Sequence, residues 1–130
     1  THTLVLMGGH VSVLARNPVQ RALAFTVGAD AFNFDSLVAR AREFDIVVST
    51  IPAPTFTREI IDLLPKTAVL VDLSAPPGSI ELGYAKQTGL QVSWARGLGR
   101  RAPITVGASQ WVGIRKIIEA QLLGGHNGEG

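Results

Sequence analysis

The feature that most constrains this sequence is an alternation: short runs dense in Val, Ile and Leu are separated by stretches whose apolar residues recur at helical spacing. A strand lying parallel to the next cannot reach it by a tight turn, because the chain must first return to the starting end. A helical crossover of about a dozen residues or more makes that return, and it leaves a strand–helix–strand rhythm in the sequence. Strands are expected at residues 3–7, 11–16, 29–34, 45–50, 68–73 and 90–95. Several are apolar on both faces, as in a sheet covered by helices from both sides. The expected fold class is α/β with a doubly wound parallel sheet.

The intervening segments carry helix punctuation. Asn17 before Pro18 is an N-cap followed by proline at the first helical position, and Gly28 closes a helix over 19–27 with Leu23 and Val27 turned inward. Asp35 caps a short helix to Glu43. Ile60, Ile61 and Leu64 stand at helical spacing within 57–64, ahead of Pro65. Two more helices are expected over 79–89 and from 103 or 104 to 123, while residues 124–130 are too glycine-rich to order themselves. With 130 residues and 46% apolar side chains, residues 1–123 can build one core and one domain.

Composition excludes several functions. No cysteine is present, so disulfides, thiolate catalysis and cysteine-bound metals are ruled out. His2, His10 and His126 have no ligand spacing, and no metal site is expected. The net charge of +2 is too small for a nucleic-acid-binding face. No apolar run is long enough to cross a bilayer and no secretory leader is visible, so a cytoplasmic location is expected.

In a doubly wound sheet, ligands lie beyond the carboxyl ends of the strands, which directs attention to four loops. Arg16 and Asn17 follow the strand at 11–16; arginine there can pair with a ribose 2′-phosphate, favouring NADP over NAD, or it is a plain surface residue beside a helix cap. Thr50, Ile51, Pro52 and Ala53 form a proline-stiffened turn able to line the ribose–nicotinamide side of a cleft, although proline also simply terminates strands. Asp72 closes a buried strand ahead of Ser74, Ala75 and Pro76; an acid in that place more often satisfies backbone donors than ligands. Arg96, Gly97, Leu98, Gly99, Arg100 and Arg101 lead into the last helix and could receive an anion, or be solvated arginines on a loop. No general acid, base or nucleophile stands out.

Taken in order, ARNP (15–18), DIVVSTIPA (45–53), PKTAVLVDLSAPPG (65–78), YAKQTG (84–89) and ARGLGRRAPITVG (95–107) closely resemble the C-terminal NAD(P)-binding half of the A subunit of dipicolinate synthase. The resemblance implies a Rossmann-like fold. It also implies oxidation of a dihydrodipicolinate-type intermediate to dipicolinate in sporulating bacteria, with NADP or NAD as hydride acceptor, a homo-oligomeric state and a partner B subunit. Carried over by position, Arg16 and Asn17 would meet the adenosine ribose or its phosphate, and Thr50, Ile51, Pro52 and Ala53 the ribose–nicotinamide portion. Ser74, Ala75, Pro76, Gly97 and Leu98 would face the small-molecule substrate. The chain departs from the family at Gly99, where a proline is usual, and at Pro76, where an arginine is usual. Two other functions fit the pattern: a shikimate-type NADP dehydrogenase, or a non-catalytic association module. Trp111 on the last helix could form part of an exposed interface in such a module, but core packing is the expectation for it.

The start of the chain departs further. A dinucleotide fold places a glycine-rich loop and a helix after its first strand, yet Met7-Gly8-Gly9-His10 runs straight into Val11. Either the first βα unit is truncated or missing, with the crossover lost between Met7 and Val11, or Gly8-Gly9 turns a tight antiparallel hairpin. The chain therefore reads as a fragment of an oxidoreductase.

Overall fold

The computed structural model describes residues 1–97 and 103–124. They divide into two units, Thr1–Trp94 and Ala95–Gly130.

The first unit runs α1 (His2–Leu6), β1 (Ser12–Leu14), α2 (Pro18–Thr26), β2 (Asp30–Phe32), α3 (Leu37–Arg40) between two short 3₁₀ turns, β3 (Ile46–Ser49), α4 (Arg58–Leu63), β4 (Val69–Asp72), α5 (Leu82–Gln87) and β5 (Gln91–Trp94). Every ladder is parallel: Ser12 is opposite Asp30 in β1–β2, Ile46 opposite Val69 in β3–β4, and Val69 opposite Gln91 in β4–β5. The fold class is thus α/β with parallel sheets and helical crossovers.

The expected strand at residues 3–7 is a helix. The Met7 amide donates to the Thr3 carbonyl, Gly8 to Val5 and Gly9 to Leu4. Gly8, at φ +85°, takes the left-handed conformation that ends helices, and a Cβ on Gly9 would lie 3.0 Å from the Leu4 carbonyl oxygen. The glycine pair is therefore a helix stop and not a hairpin turn. The link from Met7 to Val11 is an ordinary helix-to-strand connection that needs no lost crossover. A second consequence follows for the sheet. The doubly wound order sets the first strand between the second and the fourth. With residues 3–7 helical, no described strand joins β1 to β3, and two sheets stand where one was expected, ordered β1–β2 and β3–β4–β5.

One core serves both sheets. Ile61, Ala68, Leu70 and Ala85 are wholly buried, joined by Phe32, Leu37, Val47, Ile60 and Leu64. Val47 and Leu70 occupy one face of the second sheet, and α4 and α5 contribute Ile60, Ile61 and Ala85 to the same cluster. On the opposite face of β3, Ile46 and Val48 are exposed, so double-sided burial does not extend to that strand.

Helix α2 begins as its sequence predicts, the Asn17 side chain accepting from the Val19 amide at 2.8 Å. Asn17→Ala is expected to lower the unfolding free energy by about 1 kcal/mol in denaturant titration while leaving the circular dichroism spectrum intact. Leu23 does not face inward: it is exposed, and the sheltered side of α2 runs through Arg21, Ala24 and Val27. These positions recur every three residues, and Leu23 falls one position off that stripe. Arg21 shares the stripe because its guanidinium reaches back to the Ala15 and Arg16 carbonyls.

The second unit contributes α6 (Pro103–Gly124). Trp111 on this helix is 55% exposed and not a core residue. Leu98, Gly99, Arg100, Arg101 and the tail beyond Gly124 lie outside the described residues.

Candidate functional site

Because β3, β4 and β5 are parallel and in register, the loops that follow them emerge at one end of the second sheet. Asp72, the last residue of β4, organises that end. Its carboxylate is wholly buried. One oxygen accepts from the amide and hydroxyl of Ser74, and the other from the amides of Ser79 (2.7 Å) and Ile80 (3.1 Å). Burial raises the pKa of this carboxyl, but the bonds from Ser74, Ser79 and Ile80 outweigh it and hold the group below the usual carboxylate range. The aspartate is thus saturated by its own loop, as its strand-end position suggests.

Ser79 is the node between loops. Besides donating its amide to Asp72, it offers its carbonyl to the amides of Thr55 and Phe56, both at 2.9 Å. Its hydroxyl accepts from that of Ser49 at 2.6 Å, and both serines are buried. Ser49 ends β3, and its oxygen also receives the Ile51 amide at 3.4 Å. The loops after β3 and β4 are zipped further where the Glu81 amide meets the Phe56 carbonyl (3.1 Å). Trp94, at the end of β5, donates its indole N–H to the Ser74 carbonyl at 3.1 Å, so all three strand ends are joined. Gly78 makes the close packing feasible: at φ +94°, a Cβ there would lie 3.2 Å from an Asp72 oxygen and 3.5 Å from the Trp94 ring.

Around this fixed network, Thr50 and Pro52 are exposed, Ile51 and Ala53 are half-buried, and Ala75 and Pro76 are exposed. The structure brings these residues to the same sheet end. Ser74 differs from its neighbours: it is turned inward, with its amide and hydroxyl both given to Asp72. A groove of about 250 Å³ opens beside the loops, lined by Pro54, Phe56, Thr57 and Pro77 among others.

Arg16 and Asn17 belong to the other sheet. Arg16 follows β1, is exposed, and lies with its guanidinium carbon 5.0 Å from the centre of the Phe34 ring. The Asn17 side-chain oxygen is engaged as the α2 cap. Gly97 lies in the second unit. Among the described residues, no group of three or more His, Asp or Glu could hold a metal ion, and no helix is long and apolar enough to cross a membrane.

The sequence marked Asp72 and Thr50 by their strand-end positions, but it assigned Ser79 no role beyond beginning a helix. Nothing local singles out Ser79, because its hydroxyl partner is 30 residues away.

No family model matches the chain. It is 29% identical over 106 residues to the A subunit of dipicolinate synthase of Bacillus subtilis (strain 168), a match that covers 81% of this chain and 36% of that protein. The crystal structure of the same subunit from Bacillus halodurans superposes with a TM-score of 0.76 at 26% identity, over 89% of this chain and 40% of that one. The Bacillus subtilis crystal structure gives 0.76 at 27% identity, over 92% and 40%. The chain thus spans well under half the length of the relatives it matches. Over that span it is homologous in sequence to the A subunit of dipicolinate synthase and has the Rossmann-like α/β fold of those crystal structures.

Proposed function

We propose that this chain is the cofactor-binding part of an NAD(P)-dependent dehydrogenase that oxidises a dihydrodipicolinate-type intermediate to dipicolinate in the cytoplasm of sporulating bacteria. The observation that carries the reading is the end of the parallel β3–β4–β5 sheet, where Asp72 and Ser79 fix the loops bearing Thr50, Ile51, Pro52, Ala53, Ala75 and Pro76 before any ligand arrives. The residues suit the two ends of a dinucleotide. Arg16 offers an exposed guanidinium against Phe34 to a ribose 2′-phosphate, which favours NADP over NAD, and Asn17 sets the helix start beside it. Thr50, Ile51, Pro52 and Ala53 border the ribose and nicotinamide. Ala75 and Pro76 lie on the substrate side, which Ser74 serves through Asp72; the resemblance assigns Gly97 and Leu98 to the substrate as well. Bound there, the nicotinamide supplies the hydride acceptor. The partners implied by the resemblance, further copies of the chain and a B subunit, belong to the same reading.

Titration with NADPH, followed by Trp94 fluorescence in a Trp111→Phe background, is expected to give saturable binding, with NADH weaker. If saturating NADPH and NADP⁺ gave no fluorescence change and no heat in calorimetry, the reading would be overturned.

A further inference from the structure

We propose that Ser49 and Ser79 form a latch that positions the loop after β3 for its ligand. They act as positioning residues that never touch the ligand themselves. Both are buried at the sheet end, their hydroxyls 2.6 Å apart, and this is the side-chain bond that ties the end of β3 to the loop after β4. The remaining polar atoms of Ser79 face the same assembly, its amide toward Asp72 and its carbonyl toward Thr55 and Phe56. Ser49 in turn steers the chain at Ile51, whose amide approaches its oxygen, and Ile51 lies in the middle of the proposed ribose–nicotinamide turn. Opening the hydroxyl pair would leave the strands paired, because the β3–β4 ladder has its own register from Ile46 to Ser49. It would free the turn that follows. A ligand would then have to order that turn, and its apparent affinity would fall by the fraction of time the turn is out of place.

The ligand identity in this proposal rests on the cofactor reading above; the latch does not. Ser79→Ala is expected to weaken NADPH about fivefold and Ser49→Ala at least as much, since it also removes the acceptor of the Ile51 amide, and the double variant no more than Ser49→Ala, because the hydroxyl pair is already lost in that single. In Ser79→Ala, whose backbone bonds are untouched, amide exchange at Ile51 measured by NMR should quicken about fivefold while the amides of β4 keep their protection. Tyr84→Phe, which breaks a bond to Asp62 elsewhere in the unit, serves as the control: it should shift the melting temperature and change neither readout. Unchanged Ile51 exchange in Ser79→Ala would overturn the latch whatever the cofactor result. Faster exchange with wild-type NADPH affinity would overturn its role in binding. If the wild type bound no NADPH, the cofactor reading would fail by itself, and the exchange measurement would still decide whether the latch holds the turn.

Discussion

Asp72→Asn is expected to lower the unfolding free energy by about 3 kcal/mol, measured by urea titration at neutral pH, even though the side chain barely changes size. The wild-type carboxylate accepts four hydrogen bonds, from the amide and hydroxyl of Ser74 and the amides of Ser79 and Ile80. An asparagine can keep one oxygen toward the Ser79 and Ile80 amides; its nitrogen, itself a donor, then faces Ser74, whose hydroxyl can turn to accept while its amide cannot. The buried Ser74 amide then loses its partner at about 1–3 kcal/mol, and the bonds from Ser79 and Ile80 lose their charge assistance, which together gives the expected loss. The pH dependence has a fixed sign. The carboxyl is held below its ordinary value in the folded protein, so its contribution is fully present above the unfolded pKa of about 4 and fades as pH falls through the lower folded value. Wild-type stability should therefore drop on acidification below about pH 4, with a component of that slope missing in Asp72→Asn. Equal stability of the two proteins at pH 7 would show that Asp72 does not organise the strand end.

Arg16→Ala is expected to weaken NADPH at least about tenfold while leaving NADH within about twofold, because a charge-assisted bond to the 2′-phosphate is worth about 1.5–3 kcal/mol and NADH has no such phosphate. The Phe34 ring beneath the guanidinium holds it in place before binding, so lysine, without the planar group, should recover only part of the loss. The difference between the two nucleotides should also shrink at high salt, since the site is exposed. Folding should not change, as Arg16 buries little. An identical loss for NADPH and NADH would remove Arg16 from phosphate recognition.

Much of the fold was legible because its signals are local. Asn17-Pro18 marks a helix start through one side-chain bond. The apolar run around Val47 and the one around Leu70 are too short for full helices, and both are β-strands of the second sheet, although β3 buries only one of its faces. Residues 3–7 differ from expectation because a threonine followed by four apolar residues fits either period, and Gly8-Gly9 suits a hairpin turn as well as it ends a helix. Leu23 and Trp111 show the limit of burial by residue type. An apolar side chain goes inward only if its position on the helix meets a neighbour: Leu23 falls off the sheltered stripe of α2, and Trp111 is exposed along with Val112, Ile114 and Ile118 on the same helix. At the site, Asp72 could be placed by its position at a strand end, whereas the pairing of Ser49 with Ser79 exists only once two crossovers have brought distant segments together.

The separation of β1–β2 from β3–β4–β5 has a bearing on how such chains behave in company. Five strands in one sheet have two unpaired margins; divided into two sheets they have four, each a row of amide and carbonyl groups with no ladder partner among the described residues. The strand β2 carries a charge, Asp30, which pairs with Arg40. The margin of β3 has no charged residue within the strand, and with Ile46 and Val48 exposed it carries none of the side-chain devices by which edge strands are kept from further pairing.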